Sequence, residues 1–511
     1  MYTSIRKLSR FLGCTVCAAF VASTARSAVI TVTVDDTRYQ TVTGFGAAAC
    51  FGAMEPIREA NCIRILYGPQ SHVGLNIMRM EISPNLKGDI TAADVGWDTP
   101  YDWHGYLTVA REAKARGAII FGTPWSPPGE YKTNGTAQGG KGDAQGNKRG
   151  ELRTDCYDKF FPWINSFLKY MKDNGVSIDA VSVQNEPDWW VAYSGCLYTP
   201  EQVHTLVKNY AHQLDREHYG VRLISAESLN FHPRYSDILL DDPDTRQHID
   251  IIGGHLYGNP PLNYMATAAR KAAQYGKEVW MTEHSVENEH QRDGLPTWHE
   301  ELIFAEELNE SMLAGATGYI YWYMRAHWAF LGTGEQKHMP GNEKNRLLRR
   351  GYVMSHFSKH VTGSTRLGTT ASIATGTNSA FETSAYIKGD SLIVMAIDTT
   401  KNALDLKLQL PYKVKSGQHL LSTEDINCQF TDIAIAEPTE TLVVPMPARS
   451  LNTYIFQIDR SPSAIELTAD DSHLDVPAAT YDLRGREVPS DCRGLVLRRQ
   501  PDGRVVKVLQ H

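Results

Sequence analysis

Two glutamates follow apolar runs of the chain at the same relative place. Glu186 comes directly after Val183–Asn185, and Glu283 comes directly after Trp280–Thr282. If both runs are strands of one closed parallel barrel, the two carboxylates converge at its carboxyl-terminal mouth. Two carboxyl groups roughly 5–5.5 Å apart can cleave a glycosidic bond with retention, one as acid and base and the other as nucleophile. Either glutamate alone is more simply a strand-end charge in a salt bridge, so it is the pair that predicts this chemistry.

The elements that must position these glutamates lie between residues 44 and 322, where short apolar segments alternate with amphipathic stretches. The segments predicted as strands are Gly44–Ala49, Leu75–Ile82, Ala118–Thr123, Ala180–Gln184, Arg222–Ala226, Asp250–His255, Glu278–Thr282 and Thr317–Tyr323. Helices are predicted between them, among them Tyr157–Asn174, Pro200–His218 and Trp298–Ala314.

Strands that are apolar on both faces and separated by helices predict a parallel sheet. Eight such units predict an α/β fold, a (β/α)8 TIM barrel over residues 44–364. An open doubly wound sheet is the alternative. That fold usually has a glycine-rich phosphate turn after its first strand, and Gly44-Phe45-Gly46 fits such a turn poorly.

The pattern changes after about residue 365, where strand-like segments alternate with turn residues. This predicts an all-β sandwich over residues 365–458. The predicted strands are Ala380–Lys388, Ser391–Asp398, Leu404–Leu410, Glu440–Val444 and Leu451–Ile458. The strand Val29–Val34, within residues 29–43, is expected to pair with the sandwich. Residues 459–511 are read as a linker and a small β tail with short strands in Ala479–Val488 and Gly494–Lys507.

Bulk composition narrows the class of protein. The chain has 511 residues and a formal net charge of −7, with no concentrated basic block, so nucleic acid is not expected as a partner. No His/Cys spacing suits zinc, and neither a metal nor a cofactor is expected. A basic start and a short apolar run within residues 1–28 predict a secretory signal, hence a secreted protein without stable membrane insertion.

Cysteine usage is consistent with export. Eight cysteines are present, and Cys14 and Cys17 lie in the predicted signal. Among the remaining six, Cys50–Cys62 and Cys156–Cys196 are the disulfide pairs to test first. Free buried thiols are an equally good expectation.

An ordered set of motifs resembles glycoside hydrolase family 30, within it the bacterial endo-xylanases that act on glucuronoxylan. The matching segments are Gly44-Phe45-Gly46, Asn76–Arg79, Thr123–Pro128, Ser182–Asp188, His255–Gly258, Glu278–Glu283 and Tyr321–Arg325. With the sandwich they cover residues 30–458. The resemblance implies a retaining endo-β-1,4-xylanase that acts as a monomer on the polysaccharide xylan.

The resemblance also implies roles for the residues of the barrel mouth. Glu186 would be the general acid and base, and Glu283 the nucleophile. Arg79 would keep the nucleophile ionised by charge-assisted hydrogen bonding. Tyr257 would hydrogen-bond the nucleophile carboxylate.

Four further residues would bind the sugar. Asn185 would bond the 2-hydroxyl of the sugar, a contact that tightens in the transition state. Trp125 and Trp322 would line the sugar site. Arg325 is matched to a substrate-binding arginine, although alternation along its strand points it away from the glucuronate position.

The chain departs from the glucuronoxylan-specific pattern at the residues that grip glucuronate. In those relatives an arginine directly follows the position of Arg325, and a tyrosine and a serine follow the nucleophile. This chain has Ala326, Ser285 and Asn288 there. Because an Arg–carboxylate hydrogen bond contributes about 1.5–3 kcal/mol, we expect little or no requirement for glucuronate.

Other functions stay open from the sequence. They are a glucuronate-dependent glucuronoxylanase, a family 30 enzyme for β-1,6-glucan or a β-glucoside, and a non-catalytic carbohydrate-binding protein. A metal-dependent hydrolase is a further alternative, but Trp298–Glu301 lacks the second histidine of a zinc helix. Separately, Ala479–Arg486 and Asp502–Lys507 resemble the C-terminal sorting tails of secreted Bacteroidetes proteins, which implies export across an outer membrane and possible retention at the cell surface.

Overall fold

The computed structural model of the chain describes residues 28–50, 59–84, 103–142, 149–257, 262–286, 294–334, 340–376, 379–460, 479–482, 485–499 and 505–510. The predicted secretory signal lies outside this description up to residue 27. The chain divides into two compact units, Met1–Asp459 and Arg460–His511. Within the described ranges, none of the helices combines the length and the apolar character needed to span a bilayer.

Strand β1 (Ala28–Thr41) precedes a closed barrel of eight parallel strands. The barrel strands are β2 (Gly44–Ala48), β3 (Ile77–Ile82), β4 (Ile119–Pro124), β5 (Ala180–Ser182), β6 (Arg222–Ile224), β7 (Ile251–Leu256), β8 (Glu278–His284) and β9 (Gly318–Tyr321). Strand β9 pairs with β2 and closes the ring. Apolar side chains at the amino-terminal ends of the strands, such as Phe121 and Trp280, fill the interior. The predicted (β/α)8 barrel is confirmed.

Helices between the strands cover the barrel. They are α1 (Ala60–Leu66), α2 (Leu107–Lys114), α3 (Tyr157–Asp173), α4 (Pro200–Tyr210), α5 (Arg216–Tyr219), α6 (Pro233–Asp241), α7 (Pro243–Arg246), α8 (Leu262–Ala273), α9 (Trp298–Leu313) and α10 (Arg349–Ser358). A capping box at Thr199 and Gln202 fixes the start of α4.

The prediction of one helix over Pro200–His218 is wrong. Helix α4 ends at Tyr210, a 3₁₀ turn follows at Ala211–Gln213, and α5 begins at Arg216. The side chain of Asp215 accepts a hydrogen bond from the His218 amide and so caps a new helix. Asp prefers helix caps to helix interiors because its carboxylate binds free backbone amides.

A second sheet of eight strands contains β1 and the carboxyl-terminal part of the first unit. Its other strands are β10 (Thr365–Ala371), β11 (Phe381–Lys388), β12 (Ser391–Asp398), β13 (Leu404–Ser422), β14 (Gln429–Ile433), β15 (Thr439–Met446) and β16 (Ser450–Ile458). The long β13 pairs with β1 and β15 along its first half and with β14 and β16 along its second. The sheet therefore folds over on itself and encloses a core that includes Leu408, Tyr454 and Phe456. The predicted all-β domain, with the first strand paired into it, is confirmed.

Buried polar contacts attach this sheet to the barrel helices. Asn309 on α9 donates to Glu382 on β11 at 2.9 Å. His356 on α10 lies 2.8 Å from the Thr453 hydroxyl and 2.9 Å from that of Ser422. These paired contacts fix the sheet against the outside of the barrel.

The second unit is a small sheet of four strands. They are β17 (Ala479–Tyr481), β18 (Glu487–Val488), β19 (Gly494–Arg499) and β20 (Val505–Gln510), in the spatial order β18-β17-β19-β20. The short strands predicted for this tail are present.

Of the two expectations for the cysteines, the free thiols are found and the two candidate disulfides are not, because all six cysteines in the described residues are free. The Cys50 thiol faces the carbonyl of Arg79, whereas the Cys62 thiol lies 3.2 Å from the side-chain oxygen of Asn345. The two sulfurs have separate partners. Cys156 and Cys196 are likewise buried as free thiols.

Candidate active site

Five barrel strands bring charged side chains to the barrel mouth. Arg79 lies within β3, His255 within β7 and Glu283 within β8. Glu186 and Glu227 lie a few residues beyond the ends of β5 and β6. The neighbours of Arg79 on its strand, two methionines, pack in the core outside the barrel, so alternation turns Arg79 into the barrel.

Arg79 is the fully buried centre of this group. Its guanidinium bonds Glu283 Oε2, donates to Asn185 Oδ1 at 2.7 Å and lies 3.0 Å from Glu227 Oε2. A buried guanidinium without counter-charges would be very costly. The two carboxylates compensate it, and the guanidinium in turn fixes the orientation of the Asn185 amide.

Glu227 was not predicted from the sequence as a site residue. Its Oε1 accepts from the Thr123 hydroxyl at 2.7 Å, and its Oε2 faces Arg79 and lies 3.4 Å from His255 Nε2. Burial opposes its ionisation, but Arg79 and the bond with His255 outweigh burial and lower the pKa of Glu227 to about 2. Glu227 directly follows the predicted strand Arg222–Ala226, so the rule that found Glu186 and Glu283 could have found it.

His255 joins the carboxylates and was likewise missed. Its Nδ1 lies 2.9 Å from Glu186 Oε1, and its Nε2 lies 3.4 Å from Glu227 and 3.9 Å from Glu283. Burial disfavours the charged ring, but Glu283 and the hydrogen bonds with Glu186 and Glu227 raise the pKa of His255 to about 10. At neutral pH the ring is therefore an imidazolium that donates from both nitrogens.

The two predicted glutamates are the solvent-facing tip of this buried cluster. A carboxylate oxygen of Glu186, a ring nitrogen of His255 and a carboxylate oxygen of Glu283 lie within 4.8 Å of one another. The side chains of Glu186 and Glu283 are 11% and 10% exposed, whereas His255 is fully buried. The separation is shorter than the roughly 6.5–9.5 Å that leaves room for a water between the carboxyl groups of inverting glycosidases.

The same three residues have the donor atoms for a metal ion. Both ring nitrogens of His255 already face carboxylates, however, and an imidazolium has no lone pair to offer a metal. These three side chains are therefore better suited to holding a proton than to binding a metal ion.

Tyr257 contacts the other oxygen of Glu283. Its hydroxyl donates to Glu283 Oε1 at 2.7 Å, and its amide donates to Asn230 Oδ1 at 2.7 Å. Burial and the nearby charge of Glu283 raise the pKa of Tyr257 well above its usual value. The phenol therefore stays protonated and keeps donating.

The backbone at Glu186 is strained and held on both sides. Glu186 has a φ of 41°, in the left-handed region. Its amide donates to the carbonyl of Glu227 at 3.0 Å, and the Asn185 amide donates to the carbonyl of Pro124 at 2.9 Å. Strain of this kind persists where the surroundings fix it, and it concentrates at functional sites.

The two predicted tryptophans lie beside Arg79 and beside each other. The rings of Trp125 and Trp322 lie 6.0 Å apart at 38° to each other. The Arg79 guanidinium carbon lies 4.6 Å from the Trp125 ring and 5.8 Å from the Trp322 ring. Seven of the eight predicted site residues are therefore brought together.

Arg325 is the exception. It is 4% exposed, and its Nη1 lies 3.2 Å from both Glu59 Oε1 and Asn345 Oδ1. Lys344 pairs with the same Glu59 carboxylate. The structure places Arg325 in a separate ion-pair group outside the cluster around Arg79.

The chain is similar to known glycoside hydrolases. A profile described as O-glycosyl hydrolase family 30 matches residues 92–248. Glucuronoxylanase XynC of Bacillus subtilis is 26% identical over 437 residues, which are 85% of this chain and 92% of that protein. The solved family 30 subfamily 8 xylanase Xyn30A of Clostridium acetobutylicum is 29% identical, with a TM-score of 0.69 over 84% of this chain and 99% of that one. A family 30 endoxylanase from Clostridium papyrosolvens is 27% identical, with a TM-score of 0.67 over 84% of this chain and 100% of that one.

Proposed function

We propose that this chain is a glycoside hydrolase of family 30 and, within that family, a retaining endo-β-1,4-xylanase with little or no requirement for glucuronate side chains. The observation that carries the proposal is the short distance, within 4.8 Å, between carboxylate oxygens of Glu186 and Glu283 at the open mouth of the barrel. That spacing suits direct attack by one carboxylate on the sugar.

The reaction proceeds in two displacements. Glu283 attacks the anomeric carbon, the bond to the departing oxygen breaks, and Glu186 gives that oxygen its proton. The product is an ester between the sugar and Glu283. Glu186 then takes a proton from water, the water oxygen bonds to the anomeric carbon, and Glu283 leaves as a carboxylate.

Glu283 is prepared for attack by its two donors. Arg79 bonds one oxygen of the carboxylate and Tyr257 the other, so the negative charge is stabilised and the carboxylate cannot rotate. The side-chain oxygen of Asn185 accepts a hydrogen bond from Arg79. The NH2 group of the same amide can therefore donate to the sugar 2-hydroxyl.

Glu186 is placed to act as the acid at the opening of the cluster. Glu227 and Glu283 both pair with Arg79. Glu186 instead bonds His255 through Oε1, and its side chain is 11% exposed at the barrel mouth. Glu186 is therefore the carboxyl group positioned to give a proton to the departing oxygen.

Xylan as the substrate is supported by the relatives named as xylanases. Independence from glucuronate is supported by Ala326, which lies buried at the position of the gripping arginine, and by the engagement of Arg325 with Glu59. Ser285 is buried at a second position of the grip, and Asn288 lies outside the described residues.

The test compares products from glucuronoxylan and from unsubstituted xylan. We expect cleavage of both, with retained configuration at the new reducing end seen by NMR. Cleavage that always leaves glucuronate at one fixed position from the reducing end would instead establish the glucuronate-dependent alternative. Reducing sugar released from β-1,6-glucan but not from xylan would establish a different family 30 activity.

We further propose that the protein is exported and held at the outer cell surface. The basic and apolar pattern of residues 1–28 and the resemblance of the second unit to sorting tails support this location. Cell fractionation with an antibody to the barrel tests it, and a soluble cytoplasmic pool as the main fraction would contradict it.

A further inference from the structure

Two tryptophans lie exposed directly beyond the proposed acid. Trp189 and Trp190 are 54% and 46% exposed, the only tryptophans among the exposed large apolar side chains of the described residues. The Trp189 amide donates to the Glu186 carbonyl at 3.1 Å, so both rings begin one turn after the acid. Because a general acid protonates the departing sugar, that sugar must lie against the residues around Glu186.

The loop that presents these rings is fixed to the loop after β4. The fully enclosed Lys132 ammonium donates to the carbonyls of Gln138 at 2.6 Å, Gly195 at 2.7 Å and Ala137 at 3.1 Å. The Gly139 amide also donates to the Tyr193 carbonyl at 2.7 Å. The exposed rings are thus carried on a rigid support, which reduces the entropy lost when a ligand binds.

The two loops pack so closely that a glycine is required where they meet. A Cβ added at Gly139 would lie 2.2 Å from the carbonyl oxygen of Val191, so only glycine lets the two loops approach this closely. Val191 directly follows the tryptophan pair. The arrangement therefore depends on both loops together.

A positive charge accompanies the rings. Lys141 Nζ lies 6.0 Å from the centre of the Trp190 ring. In the part of the chain that the structure describes, no carboxylate is within ion-pair distance of this ammonium. The neighbouring Arg149 is paired with Glu151 at 2.6 Å, whereas Lys141 is exposed beside the Trp190 ring.

We propose that Trp189, Trp190 and Lys141 form a binding site for the xylan chain on the leaving-group side, in which Lys141 binds the carboxylate of an acidic side group such as glucuronate. The inference rests on the proposed xylanase function and extends it to the choice of cleavage position. Apolar faces of the xylose rings lie on the indoles, and the acidic substituent lies beside the ammonium.

The position of the acidic group in the products tests this. A glucuronate bound on the leaving-group side ends up near the new non-reducing end of a fragment. Mass-spectrometric sequencing of fragments from glucuronoxylan is therefore expected to show glucuronate enriched near non-reducing ends. Random placement overturns this site and leaves the xylanase proposal standing. A fixed distance from the reducing end overturns this site together with the proposed independence from glucuronate, but not the cleavage of xylan. Failure to cleave any xylan overturns both this site and the xylanase proposal.

Two variants and two matched controls sharpen the test. Lys141→Gln is expected to lower the enrichment at least threefold, because a charge-assisted bond is lost. Trp190→Ala is expected to lower the ratio of kcat/KM on xylohexaose to that on an aryl β-xylobioside by about tenfold, since an apolar contact with the departing sugars is lost.

Each control variant removes the same kind of side chain, an ammonium or an exposed aromatic ring, at another place in the protein. Lys172→Gln removes an ammonium that lies 5.4 Å from the Tyr219 ring, at the end of α3 away from the barrel mouth. Phe430→Ala removes a ring that is 50% exposed on β14. Equal effects of a variant and its control, or an enrichment unchanged by Lys141→Gln, overturn the proposal.

Discussion

His255 Nδ1 lies 2.9 Å from Glu186 Oε1, and the same ring faces Glu227 through Nε2 at 3.4 Å. The proposed acid is therefore bonded to a buried group of charges. Arg79 joins Glu227 to Glu283 within the same group, so acid and nucleophile share one set of supporting contacts. Loss of a buried member is expected to affect both functions, whereas loss of either glutamate at the tip affects one.

Glu283→Gln removes the proposed nucleophile and is expected to lower kcat on xylan by about 10⁴-fold or more, with the fold intact. Gln cannot form the glycosyl ester. Initial rates and the thermal unfolding midpoint are measured together. Glu112→Gln, in α2 and paired with Arg64, serves as the control for a lost carboxylate. Substantial turnover by the Glu283 variant would contradict the assignment.

Glu186→Gln removes the proposed proton donor, and its effect is expected to depend on the leaving group. Cleavage of xylan should fall about 10²- to 10⁴-fold, whereas formation of the glycosyl-enzyme from an aryl xyloside with a very acidic leaving group should be much less affected. Added azide, which needs no base, should speed turnover of that intermediate. Equal impairment on natural and activated substrates would show that Glu186 is not the acid.

Glu227→Gln tests the buried support. Removing one charge of a buried pair leaves Arg79 undercompensated, and we expect the free energy of unfolding at pH 7 to fall by about 3 kcal/mol. The pKa of Glu227 is lowered to about 2, so its contribution is present above about pH 4.5 and is lost as the pH falls toward 2.

Urea denaturation of both proteins at several pH values measures this difference. The difference in the free energy of unfolding between parent and variant should be largest at pH 7 and should decrease below pH 4.5. Glu112→Gln, which breaks an exposed pair with Arg64, should change stability little at any pH. A Glu227 variant as stable as the parent at pH 7 would remove Glu227 from the supporting role.

The barrel could be predicted from the sequence because its strands are buried on both faces and are mostly apolar, with few polar residues among them. The pair Glu186 and Glu283 followed from the rule that parallel strands end at one mouth. Glu227 obeys the same rule, since it directly follows the predicted strand Arg222–Ala226, but it lies outside the family motifs. His255 lies inside a strand, where a histidine is more often a core residue, and only the contacts of its two nitrogens reveal its role.

Other features depend on contacts that spacing along the chain does not contain. The separate partners of Cys50 and Cys62 are set by side-chain direction. The ion pair of Arg325 with Glu59 joins residues far apart in sequence, so no local pattern announces it. The break before α5 depends on whether Asp215 caps a helix or lies within one, and both choices suit its sequence.

Glu81 lies two residues beyond Arg79 on β3 and is 2% exposed, and the Tyr106 hydroxyl donates to its Oε2 at 3.4 Å. Burial raises the pKa of Glu81 to about 8, and the bond from Tyr106 offsets only part of this. Between about pH 4.5 and 8 the Glu81 carboxyl group therefore keeps its proton in the folded protein and loses it in the unfolded chain. The contribution of Glu81 to the free energy of unfolding is highest below pH 4.5 and falls as the pH rises toward 8. Glu81→Gln cannot ionise, and we expect its stability to fall less between pH 5 and 8 than that of the parent. Chemical denaturation of the variant and the parent across this pH range measures the difference, with Glu112→Gln as the control. Parallel pH profiles for Glu81→Gln and the parent would show that Glu81 is ionised in the folded protein.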